Sequence, residues 1–426
     1  MITLDIQMQG GSIIGEGKDG CVLTEPLWPC SSQTDIGQAP APSDNKYVSK
    51  IILKTDEESI YIKVAARLIG SNSSLYIAEL KSECSPANSS HPPVSNKMES
   101  FQSGKSAVLG WNKQTQACGK LKESLKSKKG ISDTHKVLYI SRYPMGLDEW
   151  LEYLQYSNKS IKQTIKEIMN ALPSFIDILQ RLFQSPAEKL IHLDLHYKNI
   201  FVRPSDHAIQ FGISDFGHCL LLRQNNSEGF IKYLCDYIVN YSFYCNYIQV
   251  PLESRLLNFC FINNYDSKRP IELIEAWLND PELKNSLSIN KFDVILLNPE
   301  KLLNYLLEQQ LFIAMIEQIQ SISKKIRKDH TNPSALIQSL TPNDMVAIEF
   351  ILTRYSIVSP INVITESILS IMPTTDPNTR CLTEFVIRMI VAPYDQEGSS
   401  LSSSLKSVQD ADMRFAWADV INEFSV

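Results

Sequence analysis

Between His192 and Gly217 the chain reads HLDLHYKNIFVRPSDHAIQFGISDFG, and nothing else in its 426 residues limits the fold as much. Apolar and β-branched residues at Ile200–Val202 and Ile209–Ile213 make two short strands, and the polar stretch between them makes a tight turn. Strands so arranged bring together the loops that flank them. The spacing therefore predicts Asp194, Asn199 and Asp215 at the mouth of one cleft. Asp194 can accept a proton from a hydroxyl, and Asn199 and Asp215 can hold magnesium through oxygen. His192 and His196 lie four residues apart, a metal-binding spacing only on a helix. The segment HLDLHYKN has no strong helical pattern and no Glu in H-E-x-x-H register. His192 is therefore expected to support the loop backbone rather than to bind zinc.

Upstream, SIIGEGKDGCVL (Ser12–Leu23) reads as strand, glycine turn, strand. Gly15, Gly17 and Gly20, with Glu16 between the first two and Val22 after the third, spell G-x-G-x-x-G-x-V. Glycines let backbone amides approach phosphates closely. A second strand follows rather than a helix, so this is not a dinucleotide-binding fingerprint, and a plain Gly-rich hairpin satisfies the pattern too. Lys50 sits among apolar residues in the strand KYVSKIIL (Lys46–Leu53). It either faces solvent or is held inside by an acid and an anion. The next segment, Asp56–Ile69, has helical spacing and offers both Glu57 and Glu58 as that acid.

Charged residues make up 21% of the chain and the net charge is −6, so no global field attracts nucleic acid or anionic membrane. The nine cysteines are scattered without a C-x-x-C pair, a pattern expected of reduced thiols rather than of a disulfide framework. The start MITLDIQMQGG lacks the features of a signal peptide. The most apolar long run, Phe230–Val250, carries Lys232, Asp236, Asn240 and Asn246, which suits a buried helix or loop better than a membrane span. These features predict a cytoplasmic protein without nucleic-acid or membrane partners. SLYIAEL (Ser74–Leu80) reads as a strand, residues 85–133 as a polar insertion with a short helix near Leu121, HKVLYISRYP as a strand, and 147–184 as helices. EGSSLSSSLKS reads as a linker, and DADMRFAWADVINEF as a closing helix.

In this order the motifs resemble the eukaryotic-type protein kinase superfamily. The glycine loop, strand lysine, helical glutamate, H-x-D-x-x-x-x-N loop and D-F-G follow one another from Gly11 to Gly217. The resemblance implies an α+β, bilobal fold: a small antiparallel N-lobe sheet with one key helix (1–140), a hinge (141–146) and a larger, mainly α-helical C-lobe (147–395), followed by a tail (396–426). It implies ATP and Mg²⁺ as cofactors and protein as substrate. Gly15, Glu16, Gly17 and Gly20 would cover the phosphates, Lys50 would contact them and pair with Glu58 or Glu57, and Asp194 would orient the substrate hydroxyl. Asn199 and Asp215 would bind Mg²⁺. Val22, Val48 and Phe201 would sandwich adenine, with backbone at Ser141 and Tyr143 meeting its edge. GGSIIGEGKDGCVLTEPLWPC, KYVSKI and YIAELKSEC are similar more narrowly to the serine/threonine kinases of large nucleocytoplasmic DNA viruses, which implies a host cytoplasm or virion location.

The chain also departs from the pattern. Leu193 stands where the loop arginine is usual, so activity is expected not to depend on activation-loop phosphorylation. His196 replaces the usual lysine, and D-L-H-x-x-N also resembles small-molecule kinases of the aminoglycoside or choline kinase type, and haspin-type kinases. VPLESR is similar to the end of an activation segment, with Glu253 as its acid, and DPNTRCLTEFVIRMI to a late kinase helix whose Arg380 would pair with Glu253. Both FDVILL and DMRFAWADVINEF compete for the D-x-x-S-x-G helix. Serine/threonine transfer is the leading expectation, a small-molecule phosphotransferase the alternative, and a non-catalytic pseudokinase the third.

Overall fold

The computed structural model describes residues 13–16, 20–23, 27–28, 30–31, 40, 46–86, 131–156, 160–185, 187–204, 208–223, 228–240, 250–280, 306–369 and 394. The fold is mixed α+β, with antiparallel pairing in every sheet. The chain divides into two compact units, Met1–Pro144 with Asp215–Gly217, and Met145–Ser214 with His218–Val426. The first change of unit falls inside the segment 141–146 that the sequence marks as a connector.

In the first unit, β1 (Ile13–Glu16), β2 (Gly20–Leu23), β3 (Tyr47–Leu53), β4 (Leu80–Cys84) and β5 (His135–Ser141) form one sheet of order β1-β2-β3-β5-β4. Side chains alternate across it. Ser49 and Ile51 face one side with Val137 and Tyr139 of β5, and Lys50 points to the other. The first face carries a core of Leu23, Leu27, Trp28, Cys30, Ile51, Cys84, Ile131, Val137 and Tyr139. Trp28 belongs to the stretch that the sequence reads as a long loop, but Ser49 Oγ accepts its backbone N–H at 3.1 Å and fixes it under the sheet. A single helix, α1 (Glu58–Ile69), follows β3 and ends at Gly70, whose φ of +86° suits a residue without Cβ.

Two expectations for this unit are corrected. Ser74–Leu80 is not a strand. A one-turn helix, α2 (Ser73–Tyr76), comes first, and β4 begins only at Leu80. β4 is an edge strand with exposed Lys81 and Glu83, so it lacks the apolar run that marks an inner strand. The cysteines are not all reduced either, because Cys30 and Cys84 form a disulfide. Their separation of 54 residues hides the pair from any local spacing rule. The Tyr139 hydroxyl lies 3.3 Å from Cys30 Sγ and donates to the Trp28 carbonyl at 2.5 Å. Burial pushes its pKa up to about 12. The short helix α3 (Ile131–Thr134) precedes β5. The expected helix near Leu121 lies outside the described residues, as do the Ser-rich linker and the closing helix.

The second unit starts with β6 (Met145–Gly146) and the helices α4 (Leu147–Tyr156) and α5 (Ile161–Gln184). Ser160 caps α5 by accepting the Gln163 N–H. Next come β7 (Glu188–His192), β8 (Ile200–Pro204), β9 (Ile209–Ile213) and β10 (Cys219–Arg223). β6, β8 and β9 form one small sheet, and β7 with β10 form another. Both β7 and β10 are absent from the sequence reading, since each pairs only with the other across a long separation. A helix α6 (Glu228–Lys232) runs into a π-helix (Tyr233–Asn240), in which Tyr233, Leu234 and Ile238 are buried; residues 241–249 of the run expected to be buried lie outside the described residues. The remaining described elements are helices: α7 (Leu252–Asn263), α8 (Pro270–Leu278), α9 (Gln310–Asp329), α10 (Pro333–Ser339) and α11 (Pro342–Leu369).

Within α11, Pro342–Thr365 is long and apolar enough to cross a membrane, yet 94% of its most apolar window is buried inside the structure. It packs on α5, α9 and β7. Its buried hydroxyls are satisfied internally, Thr353 donating to the Glu349 carbonyl and Thr365 to that of Ile361. α11 also supplies a buried guanidinium. Arg354 Nε lies 3.4 Å from Glu253 Oε1, and the Tyr394 hydroxyl donates to the same carboxylate oxygen. Arg380, the expected partner of Glu253, lies outside the described residues.

Two stability predictions follow from these buried pairs. Reducing the Cys30–Cys84 bond, or replacing both residues with Ser, should lower unfolding stability by about 2–4 kcal/mol through loop closure alone, read by denaturant titration with and without reductant. Arg354→Met strands the Glu253 charge and should cost about 3–5 kcal/mol. Glu253→Gln with Arg354→Met should recover part of that loss, and a double variant no better than the single would refute the pairing.

Candidate active site

The first group of polar side chains lies wholly in the first unit. Lys50, at the centre of β3, pairs in register with Val22 of β2 and Leu138 of β5. Neighbours on both sides leave it only 7% exposed. Its Nζ donates to Glu58 at 2.8 Å and to Asp215 Oδ1 at 2.7 Å. The choice between the two candidate glutamates is thereby resolved. Glu58 opens α1 and points inward at 1% exposure, while Glu57 is exposed and accepts the Tyr61 hydroxyl. Asp56, which sequence reasoning passed over, accepts the Glu58 N–H at 2.8 Å and fixes the helix start. Burial by itself would lower the Lys50 pKa. The two carboxylates outweigh it and hold the ammonium above its ordinary value. Burial pushes the Glu58 carboxyl up to about 7 against the pull of Lys50.

Asp215 reaches this cluster at a backbone cost. Its φ is +57°, in the left-handed region that a residue with a side chain seldom occupies. Gly217 closes the turn, its N–H 3.4 Å from Asp215 Oδ1. A Cβ at Gly217 would lie 3.3 Å from Asp215 Oδ1 and 3.7 Å from the Glu58 carboxylate, so glycine keeps that approach uncrowded.

The second group lies in the second unit, on the loop between β7 and β8. Strand register fixes both its ends. His192 of β7 sits opposite Cys219 of β10, and Ile200 of β8 opposite Ile213 of β9. Backbone bonds extend the pairing into the loop, from Leu193 N–H to the His218 carbonyl and from Ser214 N–H to the Asn199 carbonyl, each at 2.9 Å. His192 uses both ring nitrogens inside this frame, Nε2 lying 3.1 Å from the Ser214 carbonyl and Nδ1 accepting the Asp194 N–H. Neither nitrogen remains for a metal. Asn199 Nδ2 donates to the Asp194 carbonyl at 2.7 Å, which directs the amide oxygen, a suitable ligand for a hard cation, the other way. The Asp194 carboxylate is 20% exposed, and His196 Nε2 lies 3.8 Å from its Oδ2.

Other expected residues fare differently. Gly15 and Glu16 pair with Val22 and Cys21 across the β1–β2 hairpin, and Gly20 opens β2; Gly17 lies outside the described residues. Val48 is buried in β3 and Tyr143 is half-buried. Ser141 is committed to the fold: its N–H goes to the Glu79 carbonyl and its hydroxyl accepts the Glu79 N–H, both at 2.8 Å. That clasp leaves neither group for a base. Phe201 has no exposed surface, and its ring lies so close to Gly212 that a Cβ there would be 2.2 Å away. Its ring belongs to the core of the second unit.

Among the described residues no cluster of three or more His, Cys, Asp or Glu could hold a metal. No family model and no curated protein matches the chain.

Lys50→Met removes the cation that pairs with buried Glu58 and should cost about 3 kcal/mol of stability. Asp215, with its side chain 41% exposed, should lose about 1 kcal/mol or less on change to Asn. Urea denaturation of the two variants tests this asymmetry, and equal losses would contradict it.

Proposed function

We propose that this protein is an ATP- and Mg²⁺-dependent protein kinase of bilobal kinase-like fold that phosphorylates Ser or Thr hydroxyls. In this reading the five-stranded unit is the nucleotide-binding lobe and the helical unit the larger lobe. The observation that carries it is the Lys50–Glu58–Asp215 cluster. A buried lysine shared between two carboxylates contributes little packing, and apolar residues of similar size would serve stability as well or better. Its retention is explained by an anionic ligand, and the β1–β2 glycine hairpin beside β3 supplies amides of the kind phosphates need.

The residue roles follow from the chemistry of each group. Lys50, steadied by Glu58, neutralises nucleotide phosphate charge. Asp194 orients the acceptor hydroxyl and takes its proton as the new O–P bond forms. The Asn199 amide oxygen and the Asp215 carboxylate are the ligands assigned to Mg²⁺, which when bound draws charge from the phosphates. Leu193 is buried, so its position takes part in the core and offers nothing to a phosphorylated segment.

The alternative is transfer to a small alcohol by the same groups. His196, in place of a lysine, favours it.

Incubation with radiolabelled ATP and Mg²⁺ separates these readings, using casein, a basic protein, choline and an aminoglycoside as acceptors. Label should appear in protein phosphoserine or phosphothreonine and fall by about a hundredfold or more in Asp194→Ala. Label in the small alcohols alone supports the alternative. Equal background turnover by wild type and Asp194→Ala leaves only a non-catalytic binding role. Phosphatase treatment of the purified protein should leave the rate unchanged, and a fall to background would show that a phosphate switch operates despite Leu193.

A further inference from the structure

We propose that His196 binds the phosphoryl acceptor directly, its Nε2–H seating the same hydroxyl oxygen whose proton Asp194 takes. The inference rests on the phosphotransfer reading above and adds to it a substrate-contacting residue and a reason for hydroxyl acceptors.

The geometry lies within one unit and one loop. The Lys198 backbone N–H donates to His196 Nδ1 at 3.2 Å. With that lone pair engaged, the proton of the neutral ring sits on Nε2. Nε2 lies 3.8 Å from Asp194 Oδ2. That separation is too long for a direct hydrogen bond, and it admits one oxygen atom in contact with both. The two polar ends are fixed by their own backbone. The Asn199 N–H donates to the His196 carbonyl at 2.9 Å, and Asn199 Nδ2 donates to the Asp194 carbonyl at 2.7 Å. Both side chains keep partial exposure, 27% for His196 and 20% for Asp194.

His192, the other histidine of the motif, provides the contrast. It is buried with both nitrogens on backbone groups, whereas only Nδ1 of His196 is spent in that way.

The pair makes a two-part demand on its ligand. An ionised carboxylate only accepts, and Nε2–H only donates. A hydroxyl meets both demands with one atom, giving its hydrogen to Asp194 and a lone pair to His196. A protonated amine or a guanidinium has no lone pair to give. In the reaction, the hydroxyl proton passes to Asp194 as the oxygen bonds to the γ-phosphorus of ATP, and the bond to the departing ADP oxygen breaks. His196 keeps its proton throughout.

Two substitutions separate this role from a purely structural one. Asn at 196 can still accept the Lys198 N–H but has no donor where Nε2 stands. Gln reaches that place with an amide N–H and gives up the Nδ1 contact. Steady-state transfer is measured with an acceptor that the wild type labels, alongside thermal melting of each variant. His196→Asn should lower kcat/KM for the acceptor by about threefold to tenfold, as for loss of one neutral hydrogen bond, with the KM for ATP unchanged. His196→Gln should lose less than His196→Asn, because it keeps a donor in that place. If Gln is the more damaging change, or if Asn transfers at the wild-type rate, the proposal is wrong while the phosphotransfer reading stands. A nitrogen-edited imidazole NMR spectrum gives a readout independent of turnover. Neutral His196 should be the Nε2–H tautomer, and the Nδ1–H form would overturn the proposal alone. A wild type no more active than Asp194→Ala defeats the phosphotransfer reading and this inference together.

Discussion

A buried ammonium shared by two carboxylates is the constraint around which the first unit is arranged. Removing Lys50 from water is costly unless counter-charges sit in hydrogen-bond contact, and Glu58 and Asp215 provide them from opposite directions along the chain. Each contact imposes a local demand. β3 must carry a lysine in the middle of a fully buried run, and α1 must begin at Glu58 rather than a residue earlier. Asp215 must accept a left-handed backbone, and Gly217 must stay without a side chain. The opposite face of the sheet is dry and cross-linked, with Trp28, Tyr139 and the Cys30–Cys84 bond beneath β3 and β5. A rigid lower face lets β3 hold a charged residue on its upper face without yielding.

Order in the second unit comes from strand register rather than from charge. Four short strands anchor the segments on either side of Asp194 and Asn199, and the loop between them is held by main-chain bonds and by His192. Such a loop needs few side chains for its own support. Asp194 and His196 keep partly exposed side chains on this loop. It also accounts for the division of labour between two histidines that look alike in sequence: the one at the strand end is consumed by the backbone, and the one in mid-loop is only half consumed.

Much of this was legible in the sequence wherever the signal was local. The β1–β2 hairpin, the β8–β9 pair and α1 follow from residues within about twenty positions of one another, whereas the direction of Lys50 stayed open between solvent and interior. Long-range pairings were not legible. β7 and β10 each look like loop until they meet, and Cys30 and Cys84 carry no spacing that marks them as partners. Two residues assigned to a base, Ser141 and Phe201, have contacts in the structure that the sequence did not show, for a related reason. Strand position shows that a side chain is apolar or inward, but not whether a neighbour such as Glu79 or Gly212 has already used it. The buried acid Glu253 shows the same limit. That it needs a cation follows from burial, and among the described residues Arg354 of α11 meets it across a separation that no local pattern links.

Leu193 joins these themes. At a position next to the proposed base, a charged side chain would make loop order conditional on a counter-charge arriving from elsewhere. Leucine makes no such demand. It is buried, its N–H is bonded to His218, and its neighbour Leu195 is buried as well. In the segment His192–Leu195 the neighbours of Asp194 are held by the core, so packing and the loop's hydrogen bonds to His192 and Asn199 together present its carboxylate. On the proposed function, the groups that handle phosphate are ordered by burial and register as soon as the chain folds. Regulation would then have to act on substrate access or on stability rather than on assembly of the loop.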